Sequence, residues 1–262
     1  MAWAHEEVGI RESLRRVLLA GLNPFRIFME ISQRSDVTGP ILCMLLVVNI
    51  VFFENLTPLS RLSLVYVKGD QVQPSVEITG RTYRVIAVNA SSSFKKIGEL
   101  SEESYGRVFL MAFGYGLIAW ISATLGVLLG LKLLGKSLGV SSAVLAGYTL
   151  STKFYEALTK TIIYTLFFIN IDKIEIIIVP GSQNISVILT LVSLAMRQIP
   201  QLFTVLQAHS VFFTIWGLVV MSAALQGGGS VSLGKAILGA LISYTISGIL
   251  QSVLFSLFMV SI

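Results

Sequence analysis

From residue 108 to residue 131 the chain reads VFLMAFGYGLIAWISATLGVLLGL, 24 residues without one Asp, Glu, Lys or Arg. A helix rises about 1.5 Å per residue, so this run reaches about 36 Å, enough to cross the ~30 Å hydrocarbon core of a bilayer. A soluble helix of that length needs a polar face for water, and none is written here. Inside lipid the backbone must satisfy its own hydrogen bonds, which makes such a segment a helix. The composition agrees: 54% of the 262 residues are hydrophobic and 13% charged, where soluble domains carry about a quarter charged.

Four other stretches are candidate spans. Residues 39–53 (GPILCMLLVVNIVFF) are short for the purpose, and residues 144–169 hold Lys153, Glu156 and Lys160. Residues 210–225 and 236–262 complete the set. Residues 186–196 give only eleven positions before Arg197 and Pro200, too few to cross, and read as a half-buried or interfacial helix. The reading is an all-α polytopic membrane protein of about five transmembrane helices, with six as the alternative. A small β-rich exported insertion lies between the first and second spans. The chain thus divides into a cytoplasmic amphipathic head (1–37), a first transmembrane helix (38–53), the insertion (54–106) and a four-helix remainder (107–262).

The head has no unbroken apolar core and is dense in charge, unlike a cleaved leader. Ile10, Leu14, Val17 and Leu18, then Phe25, Phe28 and Ile31, recur at helical spacing, with Arg11, Arg15 and Arg16 beside the first stripe. Two arrangements fit this pattern: a helix lying on the membrane surface, or one packed against the protein's own spans. Arg11, Arg15, Arg16, Arg26 and Arg34 of the head fall on one side in a five-span plan, together with Lys132, Lys136 and Lys235. The charge rule makes that side cytoplasmic, so the amino terminus is expected inside and the carboxyl terminus exported. Sequons at Asn55, Asn89 and Asn184 fall on the exported side in the same plan and are candidate glycosylation sites. Cys43 is the lone cysteine, so no intrachain disulfide framework exists.

Residues 54–106 differ from the rest. RLSLVYVKGDQVQPSVEITGRTYRVIAVN alternates apolar with polar residues and is broken at KGD and Gly80, predicting about three short strands. Six basic and six acidic residues cancel across the segment, so it lacks the electrostatic footprint of nucleic-acid binding.

Near the end, GGGSVSLGKA (227–236) spells most of a phosphate loop, G-x-x-x-x-G-K from Gly229. Such a loop needs a strand before it and a helix after it, and a hydroxyl following the lysine. Here both flanks read as membrane helices and Ala236 follows Lys235, so a tight turn is expected and no nucleotide. The stretch resembles instead the final pair of spans of the Yip family of polytopic membrane proteins, named for interaction with Ypt/Rab GTPases. The matching residues are Trp216, Gly227, Ser232 and Gly234-Lys235-Ala236. Asn23-Pro24 before an aromatic-rich helix, Gly39-Pro40 opening the first span, and Gly147-Tyr148 are similar to the family's other motifs. The resemblance covers roughly residues 20–53 and 110–260, and implies five spans, a cytosolic amino terminus and protein partners, in the manner of a prokaryotic or archaeal member.

Within residues 144–169, Thr149, Lys153, Glu156, Lys160 and Tyr164 step by three or four and share one helical face. Charge inside a bilayer costs on the order of 2.5–3.5 kcal/mol per residue, so such residues tend to be paired or functional. One reading is an ion path or a headgroup cavity; the other is an interfacial segment whose charges face water. No H-E-x-x-H, paired cysteine, Asp-rich metal motif or G-x-S-x-G occurs, and His5 and His209 are far apart. The expectation is an interaction or organising protein at the lipid bilayer, with other membrane proteins or its own copies as partners. No enzyme activity, cofactor, metal or nucleic acid is expected. A transporter, or a small subunit of a transport complex, is the alternative.

Overall fold

The structure, a computed structural model, describes residues 8–34, 36–59, 62–66, 76–79, 82–86, 96–97, 102–136, 140–168, 173–178 and 200–261. They form two compact units. One comprises residues 1–51, 112–157 and 210–262; the other, residues 52–111 and 158–209.

Eight helices are described: α1 (Ile10–Leu22), α2 (Pro24–Gln33), α3 (Thr38–Leu59), α4 (Glu102–Leu133), α5 (Val140–Thr149), α6 (Ser151–Phe168), α7 (Pro200–Gly229) and α8 (Leu233–Ser261). Four are long and apolar enough to cross a membrane, over Thr38–Pro58, Tyr105–Leu133, Gln201–Gly229 and Leu233–Met259. This is a helical membrane protein with several spans. The first span is longer than residues 39–53 because the helix continues through Glu54 and Asn55 to Leu59, taking in the first residues assigned to the insertion.

Polar side chains on these spans are reconciled with lipid by bonding their own helix. Thr245, Ser252 and Ser256 are exposed on α8 and each donates to the carbonyl four residues back. A hydroxyl so paired presents little unmet polarity to hydrocarbon. Small residues let α4 approach α8: a Cβ on Gly126 would stand 2.7 Å from the Ser243 carbonyl oxygen, and one on Gly130 would meet the Ser243 hydroxyl. The G-x-x-x-G pair at 126 and 130 therefore serves packing within the chain.

The stretch 144–169 is not one helix. α5 ends at Thr149, Leu150 turns, and α6 begins at Ser151. The cause is local. Thr149 Oγ1 donates to the Ala146 carbonyl and Thr152 Oγ1 to the Thr149 carbonyl, both 2.7 Å and three residues back, while the Leu150 N–H bonds Gly147 rather than Ala146. Hydroxyls that compete for carbonyls in the ladder bend or break a helix.

The second unit holds a five-stranded sheet in the order β2-β3-β5-β1-β4, formed by β1 (Leu62–Tyr66), β2 (Val76–Thr79), β3 (Thr82–Ile86), β4 (Lys96–Ile97) and β5 (Lys173–Ile178). β5 lies at the centre, parallel to both β1 and β3. A short run rich in isoleucine, KIEIII, suits a strand paired on both edges. Residues 54–106 therefore do not complete the sheet alone; its middle strand arrives from beyond α6.

Candidate functional site

One buried carboxylate joins the head to the helices that follow it. Asp36 stands between α2 and α3, where its Oδ1 accepts the Ser13 hydroxyl at 3.1 Å and the Gly39 N–H at 2.6 Å. Its Oδ2 accepts Arg16 Nη1 at 3.2 Å and the Tyr148 hydroxyl at 2.7 Å. Arg16 Nη1 also donates to the Arg34 carbonyl, and the Arg16 and Asp36 side chains are each only 6% exposed. Four donors on α1, α3 and α5 thus converge on one buried acceptor. Charge is tolerable in such a place only when paired and fully hydrogen-bonded, as it is here.

Family-like residues surround this latch. A Cβ on Gly39 would fall on the Tyr148 ring and hydroxyl, and a Cβ on Gly147 would fall on Pro40. Gly39-Pro40 and Gly147-Tyr148 therefore interlock, each glycine making room for the other pair's ring. Asn23 ends α1 and Pro24 begins α2, the position where a missing N–H is harmless. In the last turn of α1, where carbonyls lack helical donors, Gly21 O accepts the Trp216 indole N–H at 2.8 Å. Tyr155 donates its hydroxyl to Leu18 O at 2.9 Å. A Cβ on Gly227 would stand 2.7 Å from the Phe28 carbonyl oxygen. Gly234 has open space about it and Lys235 is exposed.

α1 packs one face against the protein and leaves an apolar face exposed. Ser13, Arg16, Val17, Ala20 and Gly21 are buried, whereas Ile10, Leu14, Leu18 and Leu22 are 66%, 42%, 37% and 61% exposed. Phe25 and Met29 continue the exposed apolar face on α2. Arg11 and Arg26 are exposed nearby, but Arg16 belongs to the buried latch and not to the basic surface cluster expected from its sequence neighbours.

A surface ion cluster joins the two head helices: Arg15 donates to Glu12 at 2.7 Å and to Glu30 at 2.5 Å, and Arg26 donates to Glu30 at 3.1 Å. The Arg15 hydrogen bond holds the Glu12 carboxyl down at about 2, and the same guanidinium lowers Glu30. A carboxyl depressed on folding stabilises the head above its ordinary range near 4.5 and loses that contribution as the pH falls through about 2. Carbon-detected NMR of the Glu12 carboxyl is therefore expected to show a midpoint clearly below 4, returning toward the ordinary value in Arg15→Gln. An unshifted midpoint in the unmodified chain would dismiss the cluster.

The polar face of residues 149–164 is divided by the helix break. Thr149 closes α5, and the others lie on α6. The favourable spacing suggests a Glu156–Lys160 pair, but the partners differ: Lys153 Nζ donates to Glu156 at 2.7 Å, and Lys160 donates to Glu54 at 2.5 Å. The Glu54 side chain is only 15% exposed, and a charge so placed calls for a partner of opposite sign. Lys160 also stands 5.8 Å from the centre of the Tyr164 ring, a cation–π distance. These last contacts belong to the second unit; Thr149, Lys153 and Glu156 belong to the first.

In the first unit, Lys153 borders a cavity of about 100 Å³. Thr149, Leu150, Thr152 and Lys153 line it from the helix break, Ala119 and Ala123 from α4, Gly217 and Met221 from α7, and Tyr244, Ser247, Gly248 and Gln251 from α8. Ala119, Ala123 and Gly217 leave the space, and Thr149, Thr152, Lys153, Tyr244, Ser247 and Gln251 are the polar residues among its lining.

Of the sequons, Asn55 lies within α3 and Thr57 bonds its hydroxyl to the Phe53 carbonyl. Asn89 and Asn184 fall outside the described residues, as do Arg197 and the interfacial helix expected at 186–196. His209 Nε2 lies 2.7 Å from the Thr159 hydroxyl. Gly227–Gly229 form the last turn of α7, and Ser230, at φ 48°, turns the chain toward α8. A helix of 30 residues thus precedes the G-x-x-x-x-G-K pattern where a phosphate loop would have a strand. Among the described residues no group of three or more His, Cys, Asp or Glu is placed to hold a metal. No protein-family model, curated protein or solved structure matches this chain.

Proposed function

We propose that this protein is an integral membrane organising protein of the Yip type, which holds protein partners at the bilayer and performs no chemistry. The observation that carries this reading is the two-faced head. One face is latched onto the membrane helices through Asp36, and the other offers Ile10, Leu14, Leu18, Leu22, Phe25 and Met29 outward. Residues 8–37 hold five arginines against three carboxylates, and Arg11 and Arg26 are exposed on the same two helices. An apolar stripe with arginines beside it suits the interface of an anionic leaflet, where each basic residue near the surface contributes about 1 kcal/mol. The finer plan belongs to the same proposal: five spans, with α5 and α6 together making the third, a cytoplasmic amino terminus, an exported carboxyl terminus and an exported β-rich segment. The interlock of Gly39-Pro40 with Gly147-Tyr148 supports it, because it joins two of the family-like motifs.

A bimane label on Leu14→Cys, in a Cys43→Ala background in nanodiscs, is expected to be quenched several-fold more by lipid-borne nitroxides than by soluble iodide. The opposite ranking would remove the head from the membrane surface. Cross-linking in the native membrane followed by mass spectrometry tests the organising role. A reproducible partner bound to α1, α2 or residues 54–106 is expected, and recovery without any stoichiometric partner contradicts it.

A second reading, transport, is favoured by a separate observation: the cavity beside Lys153 at a break between helices, an arrangement that secondary transporters use at their binding sites.

A further inference from the structure

The two head helices form a hairpin. Ser13 and Arg16 of α1 reach Asp36, Arg16 also reaches the Arg34 carbonyl, and Arg15 reaches Glu30 on α2. Between these contacts the chain reverses at Asn23-Pro24. The base of the hairpin lies where a span begins, for Asp36 stands two residues ahead of Thr38–Pro58.

Its bend lies at the middle of the spans. The Gly21 carbonyl accepts the indole N–H of Trp216, one residue past the midpoint of Gln201–Gly229. A second helix gives the same depth. A Cβ on Gly21 would stand 2.6 Å from the Tyr155 ring, and Ser151 and Tyr155 bracket Lys153. Lys153 borders the same cavity as Ala119, the midpoint of Tyr105–Leu133. Past the bend α2 climbs back along α7, where the Phe28 carbonyl lies against Gly227 in the last turn of that span.

Length, charge and backbone chemistry suit that depth. The ten residues of α2 reach about 15 Å, half of the ~30 Å hydrocarbon core. Residues 17–25 (VLLAGLNPF) carry no charge, whereas Arg11, Arg15, Arg16 and Arg34 all lie toward the base. Arg26 turns its guanidinium back along α2 to Glu30, in the same direction. Carbonyls at a helix end in lipid need donors from protein, and α1 has them: Trp216 for Gly21 and the Tyr155 hydroxyl for Leu18. The side chains left exposed around the bend include Leu18, Leu22, Phe25 and Met29, all apolar. We propose that α1–α2 is a re-entrant hairpin sunk into one leaflet, its bend near the bilayer centre and its outward face covered by acyl chains. This deepens the reading of that face given above, which places the head at the membrane and leaves its depth open.

The test is a bimane label on Leu14→Cys, Leu22→Cys or Phe25→Cys, each in the full chain with Cys43→Ala, in nanodiscs whose lipids carry a nitroxide near the headgroup or near the chain end. Because roughly 15 Å separates these two depths, the chain-end nitroxide is expected to quench Leu22 and Phe25 about twofold more than the headgroup nitroxide, with the ranking reversed at Leu14. Phe25→Cys carries the test if Leu22→Cys does not fold. Stronger quenching by the headgroup nitroxide at all three positions would overturn the inserted hairpin and retain a head lying flat on the surface. Iodide outranking both nitroxides at all three would overturn the hairpin and the membrane-facing head together. Weak quenching by every agent would mean that protein, a second copy or a partner, covers the face in place of acyl chains, and would overturn the hairpin's lipid contact.

Discussion

Asp36→Ala is expected to release the head from the membrane helices and to lower the stability of the first unit by about 3–5 kcal/mol, the range for breaking a buried ion pair from one side. The magnitude follows from what is left behind. Arg16, 6% exposed, keeps a charge whose remaining described partners are Glu12 at 3.2 Å and the Arg34 carbonyl. The Ser13 and Tyr148 hydroxyls and the Gly39 N–H lose an acceptor in a place where water does not readily replace it. Removing one donor is milder: Tyr148→Phe gives up a single hydrogen bond, about 1 kcal/mol with wide scatter. Replacing both charges, Arg16→Met with Asp36→Leu, should recover a good part of the loss, because the desolvation penalty disappears with the pair. Unfolding in mixed micelles measures all four chains, and Trp216 emission reports undocking through its bond to the Gly21 carbonyl. If Asp36→Ala unfolds at the same midpoint as the unaltered chain, the latch is not what holds the head.

How much of this was legible in the residues depends on the range of the interaction. Long charge-free runs announced the four apolar helices, because crossing lipid depends on length and composition alone. The ends of those helices were less legible. α3 continues past Phe53, and Glu54 on that extension meets Lys160, a partner 106 residues away that no local pattern reveals. The break at Leu150 did have a signal, the Thr-Leu-Ser-Thr sequence whose hydroxyls compete for carbonyls, but the apolar residues on either side read as one span. Asp36 had a weaker signal, an acid standing just ahead of Thr38-Gly39-Pro40 and an apolar run, the place for a helix-start residue. Its role as a common acceptor for α1, α3 and α5 depends on which helices meet. β5 was legible in principle, as an isoleucine-rich run between Asp172 and Pro180, yet the strands it pairs with lie about a hundred residues earlier. Residues 54–106 alternate like an independent small sheet, and alternation gives no hint that the central strand comes from elsewhere.

Gly39→Ala and Gly227→Ala are expected to be the most damaging single-methyl additions in the head junction, by different routes, and the difference tests whether the interlock is real. Ordinary overpacking costs about 1–3 kcal/mol, and both sites should lie at or above the upper end. At Gly39 the new methyl overlaps the Tyr148 ring and hydroxyl, which are side-chain atoms. Tyr148 is fully buried and bonded to Asp36, so it cannot swing aside without giving up that bond. Shortening it, Tyr148→Ala, is itself destabilising, in the range of about 3–5 kcal/mol for large aromatic truncations. Once that cavity exists the Gly39 methyl has room, and the double variant should be no less stable than Tyr148→Ala alone. The coupling between the two sites should then exceed about 1 kcal/mol, as expected for residues in direct contact. At Gly227 the obstacle is the Phe28 carbonyl oxygen and its carbon, at 2.7 and 2.9 Å, and backbone cannot be trimmed by mutation. Relief there requires α2 to lift away from α7, so Gly227→Ala should expose the head to protease and shift Trp216 emission, and Phe28→Ala should not restore it. Additive behaviour of Gly39→Ala with Tyr148→Ala would mean that the two glycine-containing pairs are not in contact, and rescue of Gly227→Ala by Phe28→Ala would mean that a side chain, not the backbone, sets the approach of the head.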